Sequence, residues 1–120
     1  MLSASEETEQ VLQHHLQAFD QGDMDGVMSD YAENAVLLTP KGPKQGHAEI
    51  REVLEWMARS IFTPDCKFQM IQQLVEDEIA FIVWAAESHQ CRIPLATDTF
   101  LVRNGKIVIQ TFAAKVEEKQ

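Results

Sequence analysis

Asp98 is the residue with the least structural reason to be where it is. It lies inside the apolar stretch 93–102, and its neighbours two and four positions away, Ala96, Phe100 and Val102, are apolar. In an extended strand these side chains share one face, so the carboxyl points to the inner side of a sheet. A carboxylate there is costly unless it is protonated or paired. Asp98 is therefore the first candidate for acid–base chemistry or for hydrogen bonding a ligand. His15 is the second. At about 100° per residue it falls between Leu12, Leu16 and Phe19 on the inward stripe of a helix, while His14 beside it points towards solvent. An acid and an imidazole facing one cavity could orient or protonate a carbonyl or hydroxyl group.

Other chemistries are excluded by spacing. His47 and His89 have no zinc-ligand spacing with each other or with Cys66 and Cys91, so no metal is expected. Gly42 and Gly46, with Lys41 and Lys44 near them, lack the phosphate-loop pattern, so no cofactor is expected. Ser29, Ser60 and Ser88 do not sit in a strand–turn–helix elbow, against a hydrolase triad. The formal charge is −9, with ten scattered Lys and Arg residues. A nucleic-acid partner would need a basic stripe, and an anionic membrane surface would repel the chain. No apolar run approaches the ~20 residues that span a bilayer. Residues 1–10 are acidic, unlike a secretory signal, and two thiols without bridge spacing suit a reducing compartment. The expected setting is the cytoplasm.

The elements that must position these residues follow from hydrophobic period. Residues 5–21 read as a helix, capped by Ser5 and stopped by Gly22. Asp23 caps a short second helix, whose Met24, Val27, Met28 and Tyr31 share a face. Residues 35–39 form a short strand, 40–46 a loop rich in Pro and Gly, and 48–61 a third helix. From Cys66 onward the period is two, giving strands near 66–75, 79–89, 94–103 and 106–115, the last two joined at Asn104-Gly105. Helices segregated from strands in a chain of 120 residues predict one α+β domain over 1–120. A curved sheet with helices on its concave side leaves a pocket.

Several segments in this order resemble the SnoaL-like and ketosteroid-isomerase-like proteins of the nuclear-transport-factor-2-like superfamily. They are QAFDQGDMDG at 17–26, YAENAV at 31–36, GHAEIR at 46–51, TDTF at 97–100 and GKI at 105–107. The resemblance implies a cystatin-like α-β roll, with three N-terminal helices packed on a curved, mostly antiparallel sheet around a central pocket. Ketosteroid isomerase uses a general-base Asp and an oxyanion hole made by a Tyr and a protonated Asp. By this resemblance Asp98 matches the oxyanion-hole Asp, His15 stands where the Tyr does, and Thr39, before Pro40, stands where the base does. One role is kept, one altered and one lost, so ketosteroid isomerase activity itself is not expected.

The site so drawn takes Asp98 and His15 as its catalytic pair, coupled as an ion pair or by one shared proton. The substrate-binding wall would come from Leu12, Phe19, Leu54 and Met57 on the helices. Tyr31, at the end of the second helix, and Thr39, Trp84, Phe100 and Phe112 on the strands would complete it. The last hairpin leaves two registers open: a two-residue turn pairs Asp98 with Thr111, whereas a three-residue turn with a glycine bulge pairs it with Gln110. The resemblance favours the second, with Gln110, Phe112 and Ala114 on the pocket side. Two functions fit: an enzyme of isomerase, dehydratase or cyclase type acting on a small apolar carbonyl or hydroxyl compound, or a non-catalytic ligand-binding or dimerisation domain. A homodimer is expected, because helices cover only one face of the sheet and Thr97, Thr99 and Leu101 lie on the other.

Overall fold

A computed structural model describes all 120 residues. Helices α1 (Ala4–Asp20), α2 (Met24–Ser29) and α3 (Gly46–Ser60) interleave with strands β1 (Tyr31–Thr39) and β2 (Gly42–Gln45). Strands β3 (Lys67–Glu76), β4 (Ile79–Glu87), β5 (Cys91–Arg103) and β6 (Lys106–Glu118) follow. All six strands form one sheet in the order β2-β1-β6-β5-β4-β3. Every neighbouring pair is antiparallel except β1 with β6, which is parallel. The fold is the expected α+β roll.

Helix α1 starts earlier than its sequence pattern suggests. Ser3, not Ser5, is the cap: its hydroxyl accepts from the Glu6 amide, and the Glu6 carboxylate accepts from the Ser3 amide. That reciprocal box needs an acid three residues on. Ser5 serves elsewhere, accepting from the Asp77 amide at 2.9 Å, while the Thr8 hydroxyl donates to the Asp77 carbonyl at 2.6 Å. The first turns of α1 thus satisfy the β3–β4 turn, whose Asp77 has φ 50°. At the other end Gly22 (φ 70°) closes a Schellman motif, with Gly22 donating to the Phe19 carbonyl and Asp23 to that of Ala18. Asp23 caps α2 as expected.

The expected loop over 40–46 is in part strand. β2 folds back on β1 with Thr39 opposite Gly42, and Pro43 is tolerated because β2 is an edge. β1 also begins four residues earlier than expected, at Tyr31, because its partner β6 is remote in sequence. The exposed Glu33 and Asn34 interrupt its apolar pattern.

The last hairpin adopts neither expected register. Asn104 (φ 52°) and Gly105 (φ 72°) make a two-residue turn with Arg103 opposite Lys106 and Val102 opposite Ile107. A bulge at Val108 then moves the pairing on by one, so Asp98 faces Phe112 and Phe100 faces Gln110. The parity is what decides the outcome. Because side chains alternate, Gln110, Phe112 and Ala114 share the face of Asp98. On that face Ile82, Trp84, Ala96, Phe100 and Ile107 are buried beneath Leu12, Val27, Ile50 and Leu54 of the helices.

Candidate functional site

The concave side of the sheet and the helices enclose a cavity of about 690 Å³. Its walls come from His15, Leu16 and Phe19 of α1, from Val53, Leu54 and Met57 of α3, and from Phe62 beyond α3. Its floor is Ile82 and Trp84 of β4, Asp98 and Phe100 of β5, and Gln110 and Phe112 of β6. The exposed Asp20, Gln21 and Gly22 edge its mouth. No Lys or Arg side chain lines it.

Asp98 is 5% exposed. Its neighbours directly across are Ile82 and Phe112, so its hydrogen bonds come from the diagonal positions. The Trp84 indole N–H donates to Oδ2 at 2.7 Å, and Gln110 Nε2 donates to Oδ1 at 2.8 Å. Burial raises the Asp98 pKa to about 6, against the pull of these two donors, which favour the carboxylate. A carboxyl poised there can change protonation near neutral pH.

His15 is 2% exposed and sits edge-on to Phe19, Tyr31 and Phe100. The expected pairing of His15 with Asp98 is not what the structure has. His15 Nδ1 lies 3.0 Å from Oδ2 of Asp30, the buried residue that ends α2. Two side chains stand between it and Asp98. His15 Nε2 is 3.3 Å from the Tyr31 hydroxyl, the hydroxyl donates to Gln110 Oε1 at 2.5 Å, and Gln110 reaches Asp98. In this amide orientation the single phenol proton is committed to Gln110, so the contact to Tyr31 is a donation from His15. Every donor in the chain then points towards Asp98. Burial, with the Asp98 and Asp30 carboxylates nearby, holds the Tyr31 phenol well above its ordinary pKa, so it stays a neutral donor. His14 is more than the solvated residue expected from its helical position. Its side chain is half exposed, but its Nδ1 also meets Asp30, at 2.7 Å.

Of the wall residues expected from sequence, Phe19, Leu54, Met57, Trp84, Phe100 and Phe112 line the cavity. Leu12, Tyr31 and Thr39 do not. Leu12 is buried one turn before His15, and only the second half of α1 overhangs the hollow. Tyr31 lies behind the lining, spending its hydroxyl on His15 and Gln110. The Thr39 hydroxyl donates to the Gly42 carbonyl at 2.9 Å in the β1–β2 turn. Sequence reading missed Asp30, which follows Ser29 at the end of α2, where an acid reads as an ordinary helix-end residue. It also missed Phe62, which follows α3 where the helical period has ended. Gln110 came into view only through one of two hairpin registers.

Comparison with known proteins places this arrangement. No match is found among curated proteins. Similar solved structures include an NTF2-like protein from Mesorhizobium loti, 18% identical over 96% of each chain with a TM-score of 0.79. A Kribbella flavida DSM 17836 protein, provisionally a ketosteroid isomerase, is 11% identical over 100% of this chain and 86% of its own, with a TM-score of 0.79. TerC, co-crystallised with polyporic acid, is 14% identical over 91% of this chain and 92% of its own, with a TM-score of 0.71. Identities this low establish likeness of fold alone. The SnoaL-like domain family matches residues 12–110, which run from the inward stripe of α1 to the glutamine that holds Asp98. This chain belongs to the SnoaL-like family.

Proposed function

We propose that the cavity binds a small, largely apolar molecule and that Asp98 engages its polar group. The observation that carries this reading is a buried carboxyl, raised in pKa, lining an aromatic and aliphatic hollow of ligand size. In its catalytic form the site performs cofactor-independent acid–base chemistry of isomerase, dehydratase or cyclase type on a carbonyl or hydroxyl compound. Protonated Asp98 donates to the substrate oxygen, and His15, seated on Asp30, is the second polar group. Ketosteroid isomerase activity itself is not proposed, because Thr39 occupies the base position and its hydroxyl is turned into the β1–β2 turn.

The lost base equally supports a second reading, a non-catalytic ligand-binding or dimerisation domain. Both readings include a homodimer formed through the uncovered face. There, cross-strand rows such as Val36–Ile109–Leu101–Ile79 and Leu38–Thr111–Thr99–Phe81–Leu74 lie opposite Asp98. Leu38, Leu74, Ile79 and Ile109 are each at least 40% exposed, the sort of patch a two-fold contact hides. No helix is long and apolar enough to cross a membrane, and two free thiols suit a cytoplasmic setting.

The test is a panel of aryl and alicyclic ketones and alcohols titrated against Trp84 fluorescence, in the parent and in Trp84→Phe as a background. Since Trp56 also emits, a signal confined to Trp84 marks the cavity. Saturable binding at sub-millimolar concentration supports the reading. No binding by any member up to solubility sinks it. Turnover of a bound ketone or alcohol decides between the enzyme and the binding domain.

A further inference from the structure

The reading of the cavity as a ligand site leaves the charge of the ligand open, and the surroundings of Asp98 bear on it. Both carboxylate oxygens accept a hydrogen bond from an uncharged donor, Trp84 or Gln110. Neither meets a cation. The elements around Asp98 supply none: β4 and β6 bring Trp84 and Gln110, and α3 brings Val53, Leu54 and Met57 to the cavity. The groups there that can change charge are His15 on α1, Cys66 after α3 and Asp20 at the mouth. Tyr31 and Asp30 stand behind the lining, and Asp30 already takes His15 at Oδ2 and His14 at both oxygens. The Asp30 carboxylate therefore matches one positive charge on that pair of imidazoles before it reaches Asp98.

Beside this acid runs a continuous row of aromatic rings. Phe62 lies 5.6 Å from Phe19 and 5.6 Å from Trp84, and Trp84 lies 6.3 Å from Phe112, centroid to centroid. Ring faces attract cations through the negative face of the π system. A carboxylate and a cation attract each other more strongly in a low-dielectric cavity than they do in water. Each oxygen of Asp98 still has an unused lone pair for a further donor.

We infer that the cavity also takes organic cations: a protonated amine on an aryl or branched aliphatic body, its ammonium paired with Asp98 and its body against Phe62, Trp84 and Phe112. Protonated, Asp98 suits a neutral oxygen acceptor; ionised, it suits an ammonium. Anionic ligands of the same shape are rejected in either state, because Asp20 guards the mouth and no Lys or Arg is present to receive them.

The experiment compares 2-naphthylmethylamine, 2-naphthylmethanol and 2-naphthoate by calorimetry and Trp fluorescence at pH 5 and pH 7.5. With Asp98 titrating at about 6, its ionised fraction rises about tenfold across this range. Amine affinity is expected to rise about tenfold with it, while alcohol affinity does not rise, because its oxygen accepts from protonated Asp98, and naphthoate binds weakest at both. In Asp98→Asn the amine should lose its pH dependence and fall to the level of the alcohol. Asp20→Asn, at the mouth, should keep most of the dependence and serves if Asp98→Asn does not fold. An amine that binds no tighter than the alcohol at pH 7.5 overturns the inference and leaves the ligand-site reading standing. So does a dependence that persists in Asp98→Asn, which would assign it to His15, or one that vanishes in Asp20→Asn, which would assign it to the mouth. Failure of all three probes overturns the inference, and the ligand-site reading falls with it only if the whole panel of ketones and alcohols also fails to bind.

Discussion

Replacing Asp98 by Asn should make this protein more stable at neutral pH. The carboxyl has a pKa of about 6 in the fold against an ordinary value of 3.8. Folded Asp98 therefore holds its proton more tightly than the unfolded chain does, and between about pH 4 and 6 the native state binds more protons. Stability consequently falls as pH rises through that window. The full penalty is present above about pH 6, and the difference of about 2.2 between the two values corresponds to about 3 kcal/mol at 1.36 kcal/mol per unit. The substitution keeps the shape and removes the charge. The new amide can also be satisfied: if Gln110 turns its carbonyl towards it, the Gln110 nitrogen donates to the Tyr31 oxygen, and the phenol proton turns to His15. The chain of contacts reverses direction without losing a partner. Urea denaturation of both proteins from pH 4 to 8 is the assay. The variant is expected to gain up to about 3 kcal/mol at pH 7.5, the difference shrinking towards zero near pH 4. A variant less stable than the parent at pH 7.5 would refute the reasoning. It would mean that Trp84 and Gln110 bind the carboxylate more strongly than burial penalises it. A gain would mark Asp98 as a residue kept at a cost in stability, the usual mark of a functional group.

Tyr31→Phe strands His15 Nε2 and Gln110 Oε1 in a buried site, so a loss of about 1–3 kcal/mol is expected in the same assay; an unchanged midpoint would show that water or Gln110 rearrangement replaces the phenol. Gly22→Ala meets open space but forces φ 70° on a side chain, and about 1 kcal/mol should be lost by thermal melting. A more stable variant would mean that α1 can end otherwise. Leu101→Lys with Ile109→Lys puts two charges side by side on the uncovered face; sedimentation should show dimer becoming monomer with the helical signal retained. A parent that is already monomeric at tens of micromolar, or a double variant that stays dimeric, would remove that face from the interface.

Much of the fold was legible because its signals are local. The stripe of α1, the stop at Gly22, the cap at Asp23 and the positive-φ turn at Asn104-Gly105 all depend on residues within a few positions of one another. The alternation of apolar side chains over 66–115 gave the four long strands, and it exposed Asp98 as an acid on the wrong face. What failed depends on partners distant in sequence. β1 reaches back to Tyr31 because it docks on β6, more than seventy residues away, and β2 exists only because β1 offers an edge. The bulge at Val108 carries no residue signature, yet by one step it set Phe112 rather than Gln110 or Thr111 opposite Asp98. The site divides in the same way. Sequence alone placed Asp98 and His15 inside one hollow, since period and parity fix which way a side chain points. Which group each one touches was decided by the packing of α1 and the end of α2 over the sheet. That packing gave His15 to Asp30 and left Asp98 to Trp84 and Gln110, because hydrogen-bond partners are fixed by distances of a few ångströms that only the tertiary arrangement sets.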